Sequence, residues 1–458
     1  QCAWGHPSHR GAATEKARTL VRMAVARATK LEALRTSEVA VNHAALVLGG
    51  GAAGMNAALN LAEQGFPVHL VERTDQLGGN LRHLAYLPQW QESQLHFADA
   101  QAYLRDLVAR ARAHPLITTH LNTQLLDTGG FKGNFVSTLR RGSGQALERD
   151  GASFQVQHGV TIVATGGVEY KGKEYQYGKD PRIVTQLEFE ERIAKYELGI
   201  AKNQVDVRNS QFAIPSSVVF IQCVGPAEKY CGRTCCTESL QNALRLKTLN
   251  PNAQVTILYK DIRTYGFRER IYQEARERGV VFVRYDDAHL PVVDTAGSSK
   301  QQAGSDSSLA VRVWEPVLQE ELTLRPNLVV LAAPLTPHDD ARELANILKV
   351  PVDTDGWFLE AHVKLRPVDF ATEGVFVAGA AHYPKFLNEA IAQAQAAAAR
   401  AATILSKDVM RAGGIVAQVD AAKCTGCLTC VRICPYHVPR IAPTQLAIGG
   451  IYGAAQIE

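Results

Sequence analysis

Residues 49–54, Gly-Gly-Gly-Ala-Ala-Gly, stand between an apolar segment and a segment of helical periodicity, and this stretch decides the fold. Its first glycine permits a tight turn, its second allows backbone to approach a pyrophosphate, and its third lets helix and strand pack closely. The N-terminus of the following helix adds N–H donors and the positive end of a dipole. Glu72 ends the next predicted strand, where it would accept a hydrogen bond from a ribose hydroxyl. The pattern predicts a βαβ unit that binds a dinucleotide, and a glycine-rich turn without a ligand is the less favoured alternative.

The chain around this stretch predicts an α/β protein with two nested Rossmann-like dinucleotide-binding domains. The first domain is discontinuous and comprises residues 41–214 and 325–410, and the second comprises residues 215–324. Residues 1–40 form a helical lead-in segment. Residues 411–458 form a C-terminal ferredoxin-like iron–sulfur module, which is incomplete.

Periodicity predicts the elements of each part. The lead-in helix covers Thr14–Leu34. In the first domain we expect strands Ala44–Leu48, Pro67–Glu72, Phe154–Gln157 and Val160–Ala164, with helices Ala52–Gln64 and Ser93–Ala113. In the second we expect strands Val218–Gln222, Val255–Tyr259 and Val280–Arg284, with helices Thr237–Thr248 and Arg268–Arg278. The chain then returns to the first domain through Leu328–Ala332, Gly374–Ala378 and the helix Asn388–Leu405. Polar residues predict surface loops over Arg141–Gly151 and Thr295–Ser308.

The composition is that of an ordinary soluble enzyme. The chain has 458 residues, of which 46% are hydrophobic and 21% are charged, and this length allows two or three domains. A net charge of only +4, without a basic block, gives no electrostatic argument for nucleic acid binding. No apolar run reaches the eighteen or so residues that a membrane span requires. We therefore expect a cytoplasmic protein without a membrane span.

Eight of the nine cysteines form two groups, and only Cys2 stands apart. The second group has the spacing C-x2-C-x2-C-x3-C-P, which is typical of iron–sulfur clusters, and a zinc site is the less favoured alternative. The first group could hold a cluster, could be buried structural cysteines, or could form a redox disulfide, and spacing alone does not decide between these. The first group is Cys223, Cys231, Cys235 and Cys236, and the second is Cys424, Cys427, Cys430 and Cys434.

The first cysteine group lies where the second Rossmann-like domain should have its own glycine-rich loop. The predicted strand there runs into Gln222-Cys223-Val224-Gly225-Pro226, which contains no G-x-G-x-x-G. A pyrophosphate therefore lacks its usual binding loop. We expect no direct binding of NADH or NADPH by this domain.

Three further segments indicate that the dinucleotide of the first domain is FAD. Leu77-Gly78-Gly79, Ala164-Thr165-Gly166-Gly167 and residues 374–379 resemble the FAD-contacting segments of thioredoxin-reductase-like flavoproteins. One departure is Ala380, where those flavoproteins usually have an Asp for the ribityl chain. The predicted cofactor-binding residues are Gly49, Gly51, Ala52, Ala53, Gly54, Glu72, Arg73, Gly78, Gly79, Ala164, Thr165, Gly166, Gly379 and Lys385.

Over nearly its whole length the chain resembles the A component of heterodisulfide reductase. The resemblance rests on residues 14–17, 220–225 and 259–263, on the steps Tyr230-Cys231 and Cys235-Cys236, and on Ala378-Gly379 with Pro384-Lys385. In that family the four cysteines that match the first group bind a 4Fe–4S cluster beside FAD. The resemblance implies the same ligand set here.

Three departures limit what the resemblance implies. The family commonly has a ferredoxin module inserted after the second strand, whereas Asn80–His120 contains no cysteine. The family often has a Lys where this chain has Gln241, and a neutral side chain cannot stabilise an anionic reduced flavin. Finally, no cysteine follows Cys434, so either Cys434 closes a single cluster or the natural gene continues into a second motif. We favour the second.

Together these features predict a FAD- and 4Fe–4S-containing electron-transfer oxidoreductase subunit. The flavin carries the chemistry, and no side chain is assigned as catalytic acid, base or nucleophile. His382 is expected to be a surface histidine, and Lys385 to contact the flavin. The resemblance implies partners in a heterodisulfide-reductase-like complex, namely its B and C components, a hydrogenase or formate dehydrogenase subunit for electron input, ferredoxin, and a second copy of the chain. Electron bifurcation, a quinone-linked or sulfur-oxidising role, and a non-catalytic FAD-binding scaffold stay open as alternatives.

Overall fold

The computed structural model describes most of the chain. The chain divides into two units. The described residues are 2–30, 36–91, 94–142, 152–201, 214–225, 230–295, 309–413, 417, 419–446 and 453–457. The smaller unit comprises Gln1–Ala40, Val409–Val431 and Pro439–Glu458, and the larger comprises Val41–Asp408 and Arg432–Val438. Among the described residues no helix has the length and apolar character needed to cross a membrane.

In the residues that the structure describes, the smaller unit contains helices and two short antiparallel pairs. The predicted lead-in helix extends over Arg10–Ala28 rather than Thr14–Leu34, and residues 31–35 lie outside the described part. The short helix Cys2–Gly5 precedes it. One pair joins Thr36–Ala40 to Val409–Gly413, and the other joins Pro439–Leu446 to Gly453–Ile457. The helix Thr429–Ile433 lies within the C-terminal cysteine motif.

The larger unit contains a five-stranded parallel sheet, called here the first sheet. Its strands, from one edge to the other, are Val375–Val377, Val160–Val163, Ala45–Leu48, Val68–Val71 and Ile117–His120. In Ala45–Leu48, alternate residues enter two different cores, so this central strand is buried on both faces. A strand between two cores reads as a continuous apolar run, which is why the sequence predicted it.

Two helices cover one face of the first sheet and pack against each other. Ala52–Glu63 begins directly after the glycine stretch and is called here the dinucleotide helix. Leu387–Leu405, the Ala-rich helix, presents Ala394, Ala397 and Ala401 without exposed surface. Small side chains allow these two helices to approach closely. Ala341–Leu348 packs into the core on the other face of the sheet.

A second five-stranded parallel sheet forms the other half of the larger unit. Its strand order is Ile183–Thr185, Leu328–Leu331, Ser217–Ile221, Gln254–Tyr259 and Val281–Arg284. Helices Gln186–Ala201, Thr234–Leu249 and Glu269–Glu277 accompany it. We call Thr234–Leu249 the cysteine helix because it contains Cys235 and Cys236.

The expected return of the chain to the first domain at Leu328 is wrong. Leu328–Leu331 pairs in parallel with Ser217–Ile221 and with Ile183–Thr185, so it lies inside the second sheet. The sequence shows an apolar run at this point, and an apolar run does not reveal which of two buried parallel sheets it joins. The predicted domain boundaries themselves stay a prediction.

The predicted helix Ser93–Ala113 is only partly right. Helix Ala100–Ala113 begins where the Asp99 carboxylate accepts hydrogen bonds from the N–H groups of Gln101 and Ala102, at 2.7 and 3.0 Å. The residues before it form a hairpin of Tyr86–Gln91 with Gln94–Asp99. This N-cap is the physical reason that the helix starts late.

The remaining elements are short. Antiparallel sheets join Thr123–Phe131, Asn134–Arg141 and Ser153–His158, then Val292–Asp294, Ala310–Glu315 and Glu320–Leu324, and a two-stranded pair joins Val168–Glu169 to Leu335–Thr336. Single 3-10 turns occur at Gly79–His83, Glu174–Gln176, Gly266–Arg268 and Gly379–Ala381. The predicted surface loops fall mainly on residues 143–151 and 296–308, outside the described part.

Candidate functional site

A cavity of about 1420 Å³ opens at the carboxyl ends of the first sheet's strands. Strand ends contribute Leu48 with Gly49, Val71 with Glu72, and Ala164 with Thr165. The crevice at the carboxyl ends of such a sheet is where parallel α/β folds bind nucleotides. All the predicted cofactor-binding residues line this cavity except Gly54, Gly78 and Gly379. Gly54 lies in the first turn of the dinucleotide helix, and Gly78 and Gly379 lie at the starts of 3-10 turns.

The glycine stretch packs too closely for side chains. A Cβ on Gly54 would lie 1.8 Å from the carbonyl oxygen of Gly49. Gly49 has φ +108°, and a Cβ there would lie 2.3 Å from the carbonyl oxygen of Ala164. Gly79 approaches Gly51 so closely that an added Cβ would lie 3.1 Å from the Gly51 Cα. These contacts leave bare backbone on the cavity wall, and that wall fits a pyrophosphate.

Glu72 is held in place by the same loop. Its Oε2 accepts a hydrogen bond of 2.8 Å from the Gly50 N–H. Its Oε1 accepts hydrogen bonds from the N–H and the hydroxyl of Thr74, both at 2.9 Å. The side chain of the neighbouring Arg73 pairs with Asp340 at 3.3 Å. The carboxylate is thus fixed at the wall of the cavity, where the sequence predicts a ribose.

The cysteine helix forms another wall of the same cavity. Thr234, Thr237, Glu238 and Gln241 all line it. Cys235 and Cys236 belong to the first turn of this helix and are buried. The dinucleotide loop and the first cysteine group are therefore adjacent to a common space.

The loop before the cysteine helix has a strained backbone. Cys223 has φ +59° and Arg233 has φ +53°, a region that residues other than glycine seldom adopt. The Arg233 N–H donates to the Cys231 sulfur at 3.3 Å, and the Cys236 thiol lies 3.7 Å from the Asp261 carbonyl oxygen. Strain of this kind concentrates at ligand-binding sites.

The four thiols interact electrostatically, and their environment disfavours a lone thiolate. Burial raises the pKa of Cys223, raises that of Cys236 to about 12, and raises that of Cys235 well above its ordinary value. In the part of the chain that the structure describes, no three His, Cys, Asp or Glu side chains are placed to bind a metal ion. Soft, desolvated sulfurs fit iron, whose positive charge would stabilise the thiolate form.

A buried amide beside Cys223 supports the same fit. Gln222 is fully buried, and neither its Oε1 nor its Nε2 has a hydrogen-bond partner among the described residues. Its backbone carbonyl accepts a hydrogen bond from the Tyr285 hydroxyl at 2.5 Å. Buried polar atoms without partners are rare and often mark a missing ligand.

The C-terminal cysteines are more accessible. Cys427 and Cys430 are exposed, and Cys424 and Cys434 are half-buried. The Cys424 sulfur accepts a hydrogen bond from the Ala455 N–H at 3.4 Å. Hydrogen bonds from Thr429 lower the pKa of Cys427 to about 7, which favours the thiolate that iron requires.

Some cavity residues were missed or misjudged in the sequence. His382 is not a surface histidine, because its side chain is 19% exposed and its Nε2 pairs with the buried Glu360. Lys385, which is predicted to contact the flavin, lines the cavity, and burial together with the nearby Arg233 lowers its pKa. Thr237 and Glu238 were not predicted to face a cofactor; their position directly after the cysteine pair was the available signal.

Comparison with known proteins agrees with this geometry. A family model described as an NAD(P)-binding Rossmann-like domain matches residues 47–102, and one described as a 4Fe-4S binding domain matches residues 416–439. The thioredoxin reductase of Lactococcus lactis has the same fold, with a TM-score of 0.50 at 16% identity, covering 79% of this chain and 98% of that chain.

Two curated relatives from Methanopyrus kandleri are similar over 95% of this chain. They are the A 2 and A 1 iron-sulfur subunits of CoB–CoM heterodisulfide reductase, at 30% and 31% identity, and in each case 75% of the relative's length is covered. Together with the fold and the 4Fe–4S match, this makes the chain an oxidoreductase subunit with FAD and 4Fe–4S cofactors. The chain belongs to the family of A-type iron–sulfur subunits of heterodisulfide reductase.

Proposed function

We propose that FAD binds in the cavity between the glycine stretch and the cysteine helix, and that electrons pass between it and a 4Fe–4S cluster. Cys223, Cys231, Cys235 and Cys236 would ligate this cluster. The observation that carries the proposal is the shared cavity: Gly49 and Gly51 line the same cavity as Thr237 and Gln241. Electron transfer requires short distances, and a common cavity supplies them.

The chain's own residues position the cofactor. The bare backbone of Gly49 and Gly51 receives the pyrophosphate, with the dinucleotide helix pointing its N-terminus at the anion. Glu72 binds the ribose from its fixed place in the loop. Lys385 lines the cavity as a flavin contact. Bound FAD exchanges electrons singly or in pairs, whereas a cluster exchanges them one at a time.

Gln241 bears on whether this chain carries out electron bifurcation. It lines the cavity as a neutral side chain. We infer electron transfer as the function and leave electron bifurcation out of it, because this position gives no positive charge to an anionic reduced flavin.

The partners follow from the family. The relatives are named as subunits of heterodisulfide reductases, so this chain works with other subunits of a complex of that kind. We propose the B and C components of such a complex, an electron-input subunit of hydrogenase or formate dehydrogenase type, and ferredoxin as its specific partners. A homodimer inside the complex and a cytoplasmic location complete the proposal. Cys424, Cys427 and Cys430 would ligate a second cluster.

Flavin content and iron content of protein purified without air test the proposal. We expect one FAD and at least one 4Fe–4S cluster per chain, and we expect chemical reduction of the clusters to reduce the flavin as well. A folded protein with neither flavin nor iron would contradict the proposal. A flavin that never exchanges electrons with the clusters would indicate a non-catalytic scaffold.

A pair of variants at Gln241 tests whether the flavin binds next to the cysteine helix. Gln241→Trp places a large ring in the cavity from the cysteine helix, and it should lower the flavin-to-protein ratio at least tenfold. Gln241→Asn keeps the cavity open and should retain flavin, with circular dichroism as the check on folding. Full flavin binding by a folded Gln241→Trp protein would place the cofactor elsewhere.

A further inference from the structure

Three glutamates lie on the cavity wall near the cysteine helix, and the electron transfer proposed above does not use them. Glu169 ends the strand Val168–Glu169, Glu190 belongs to the helix Gln186–Ala201, and Glu238 belongs to the cysteine helix. Electrostatic repulsion couples Glu190 to Glu169 and couples Glu238 to both. Burial raises the pKa of Glu169 and of Glu190, and repulsion from Glu169 adds to the effect at Glu190.

Glu190 is the best-anchored member of this group. It is 4% exposed, and its Oε1 accepts hydrogen bonds from the N–H groups of Ala85 and Tyr86, at 2.7 and 3.2 Å. Burial raises its pKa to about 7, with repulsion from Glu169 adding to the effect and the two backbone donors opposing it. Both protonation states are therefore populated near pH 7.

A separate observation shows that a polar ligand belongs beside these carboxyls. Thr237 is 2% exposed and lines the cavity, yet its Oγ1 has no hydrogen-bond partner among the described residues. One carboxyl oxygen of Glu238 is likewise buried without a partner there. Such atoms are costly to bury, and a ligand with polar edges that fills this part of the cavity would satisfy them.

We propose that Glu190 takes up a proton when the flavin bound in this cavity is reduced, so that the charge of the buried site changes little. This inference rests on the proposed function. Reduction adds negative charge to the flavin, and the proton taken up by Glu190 compensates for this charge.

Electrons and protons balance in this step. Two electrons reach the bound flavin from an iron–sulfur donor, or from dithionite in the test, together with the protons that the flavin itself binds. Above about pH 7, Glu190 is ionised before reduction, and the added negative charge nearby makes its carboxylate bind one further proton from solvent. On reoxidation the carboxyl releases this proton.

The other charged groups around Glu190 come from the elements packed against its helix. The 3-10 turn Gly79–His83 contributes Arg82 and His83, and His83 pairs with Glu191 at 2.7 Å. The cysteine helix contributes Glu238 and Arg245, and Arg245 pairs with Glu197. Strands Ile183–Thr185 and Leu328–Leu331 contribute none. The strand Tyr86–Gln91 contributes Tyr86, whose hydroxyl donates to Glu197. Arg82 and His83 also line the cavity, but the charged side chain that shifts the pKa of Glu190 is Glu169, whose repulsion favours proton uptake.

The test measures the flavin's midpoint potential against pH in the intact protein, from about pH 6 to about pH 8.5. In the unaltered protein the slope should steepen above about pH 7 by one proton per two electrons. This is a further tenfold change in the reduction equilibrium per pH unit, or about 30 mV for a two-electron couple. Glu190→Gln should show no such break.

Glu343→Gln is the matched control, because Glu343 lines the same cavity but is exposed. It should keep the break in slope. If Glu190→Gln cannot hold flavin, infrared difference spectra of the unaltered protein replace it: reduction at about pH 8 should add one protonated carboxyl, and reduction at about pH 6 should add none. Equal slopes in unaltered protein and Glu190→Gln, or no new carboxyl signal, would overturn this inference while leaving the proposed function intact. A protein without flavin would overturn both.

Discussion

The absence of a side chain at Gly54 distinguishes this dinucleotide-binding loop from an ordinary turn. The third glycine of the stretch packs against the Gly49 carbonyl, where even a methyl group would be 1.8 Å away. Such a clash would displace the dinucleotide helix, and its N-terminal N–H groups would no longer point at the cavity. Function and stability are therefore linked at this residue.

Gly54→Ala should lose flavin and stability together. Overpacking of this kind costs about 1–3 kcal/mol in the free energy of unfolding, because backbone must move to admit the methyl group. The measurements are the flavin-to-protein ratio and denaturant unfolding. Gly129→Ala is the control, since a Cβ there meets nothing within 4 Å. Normal flavin content in Gly54→Ala would show that the close contact has no role in binding.

A buried histidine makes the fold sensitive to acid. His158 is fully buried, with Nδ1 2.9 Å from the Val160 carbonyl oxygen and Nε2 2.8 Å from the Ser137 hydroxyl oxygen. Since the carbonyl only accepts, Nδ1 carries the proton and Nε2 accepts from Ser137. Burial lowers the pKa of His158 from 6.5 to about 4.

The unfolded chain therefore binds this proton more tightly than the folded chain does. Stability is fully present above about pH 6.5 and falls as the pH drops towards 4, by about 3 kcal/mol in total for this residue. His158→Gln should flatten the dependence of unfolding free energy on pH over this window, whereas replacing the exposed His96 should not. An unchanged pH dependence in His158→Gln would contradict the assignment.

At the scale of elements, the strand Ser217–Ile221 leads into a cysteine and not into a glycine-rich nucleotide-binding loop. Gln222 and Cys223 follow this strand, and Cys223 has φ +59°, at the position where a nucleotide-binding sheet would turn through glycines into a helix. The Rossmann family match covers residues 47–102 and does not extend to this strand.

NADH and NADPH should therefore reduce the flavin negligibly in the absence of partner subunits. The check is flavin absorbance after mixing under anaerobic conditions, with dithionite as the positive control. Rapid bleaching by either nucleotide would mean that the second sheet binds a pyrophosphate without a glycine loop.

The same elements show how much the sequence could predict. The strands Ala45–Leu48 and Val68–Val71 and the dinucleotide helix were predicted within a residue or two, because glycine punctuation and apolar periodicity coincide there. The partners of Leu328–Leu331 were not predicted, because strand pairing is a long-range choice. The wall formed by Thr237 and Glu190 was also missed, since it exists only after two elements distant in sequence meet at one cavity.

For the whole molecule, the two cysteine groups should behave as independent sites. The Cys223–Cys236 group and the glycine stretch belong to the larger unit, as does Cys434. Cys424, Cys427 and Cys430, the three cysteines expected to ligate the C-terminal cluster, belong to the smaller unit. Local opening in one compact unit removes the ligands bound there without removing those bound in the other, unless a shared element couples the two.

Single replacements should therefore remove one cluster at a time. Cys236→Ala should lower the iron content by about four atoms per chain and leave FAD bound, because the glycine stretch proposed to hold FAD follows a strand of the other sheet. Cys430→Ala should remove only the C-terminal cluster, and Cys2→Ala, which alters the one ungrouped cysteine, should remove none. Iron analysis, flavin extraction and electron paramagnetic resonance of the reduced protein distinguish these outcomes. If Cys236→Ala kept all its iron, that cysteine would not be a ligand, and if it lost its flavin as well, the two cofactors would depend on each other rather than only sharing a cavity wall.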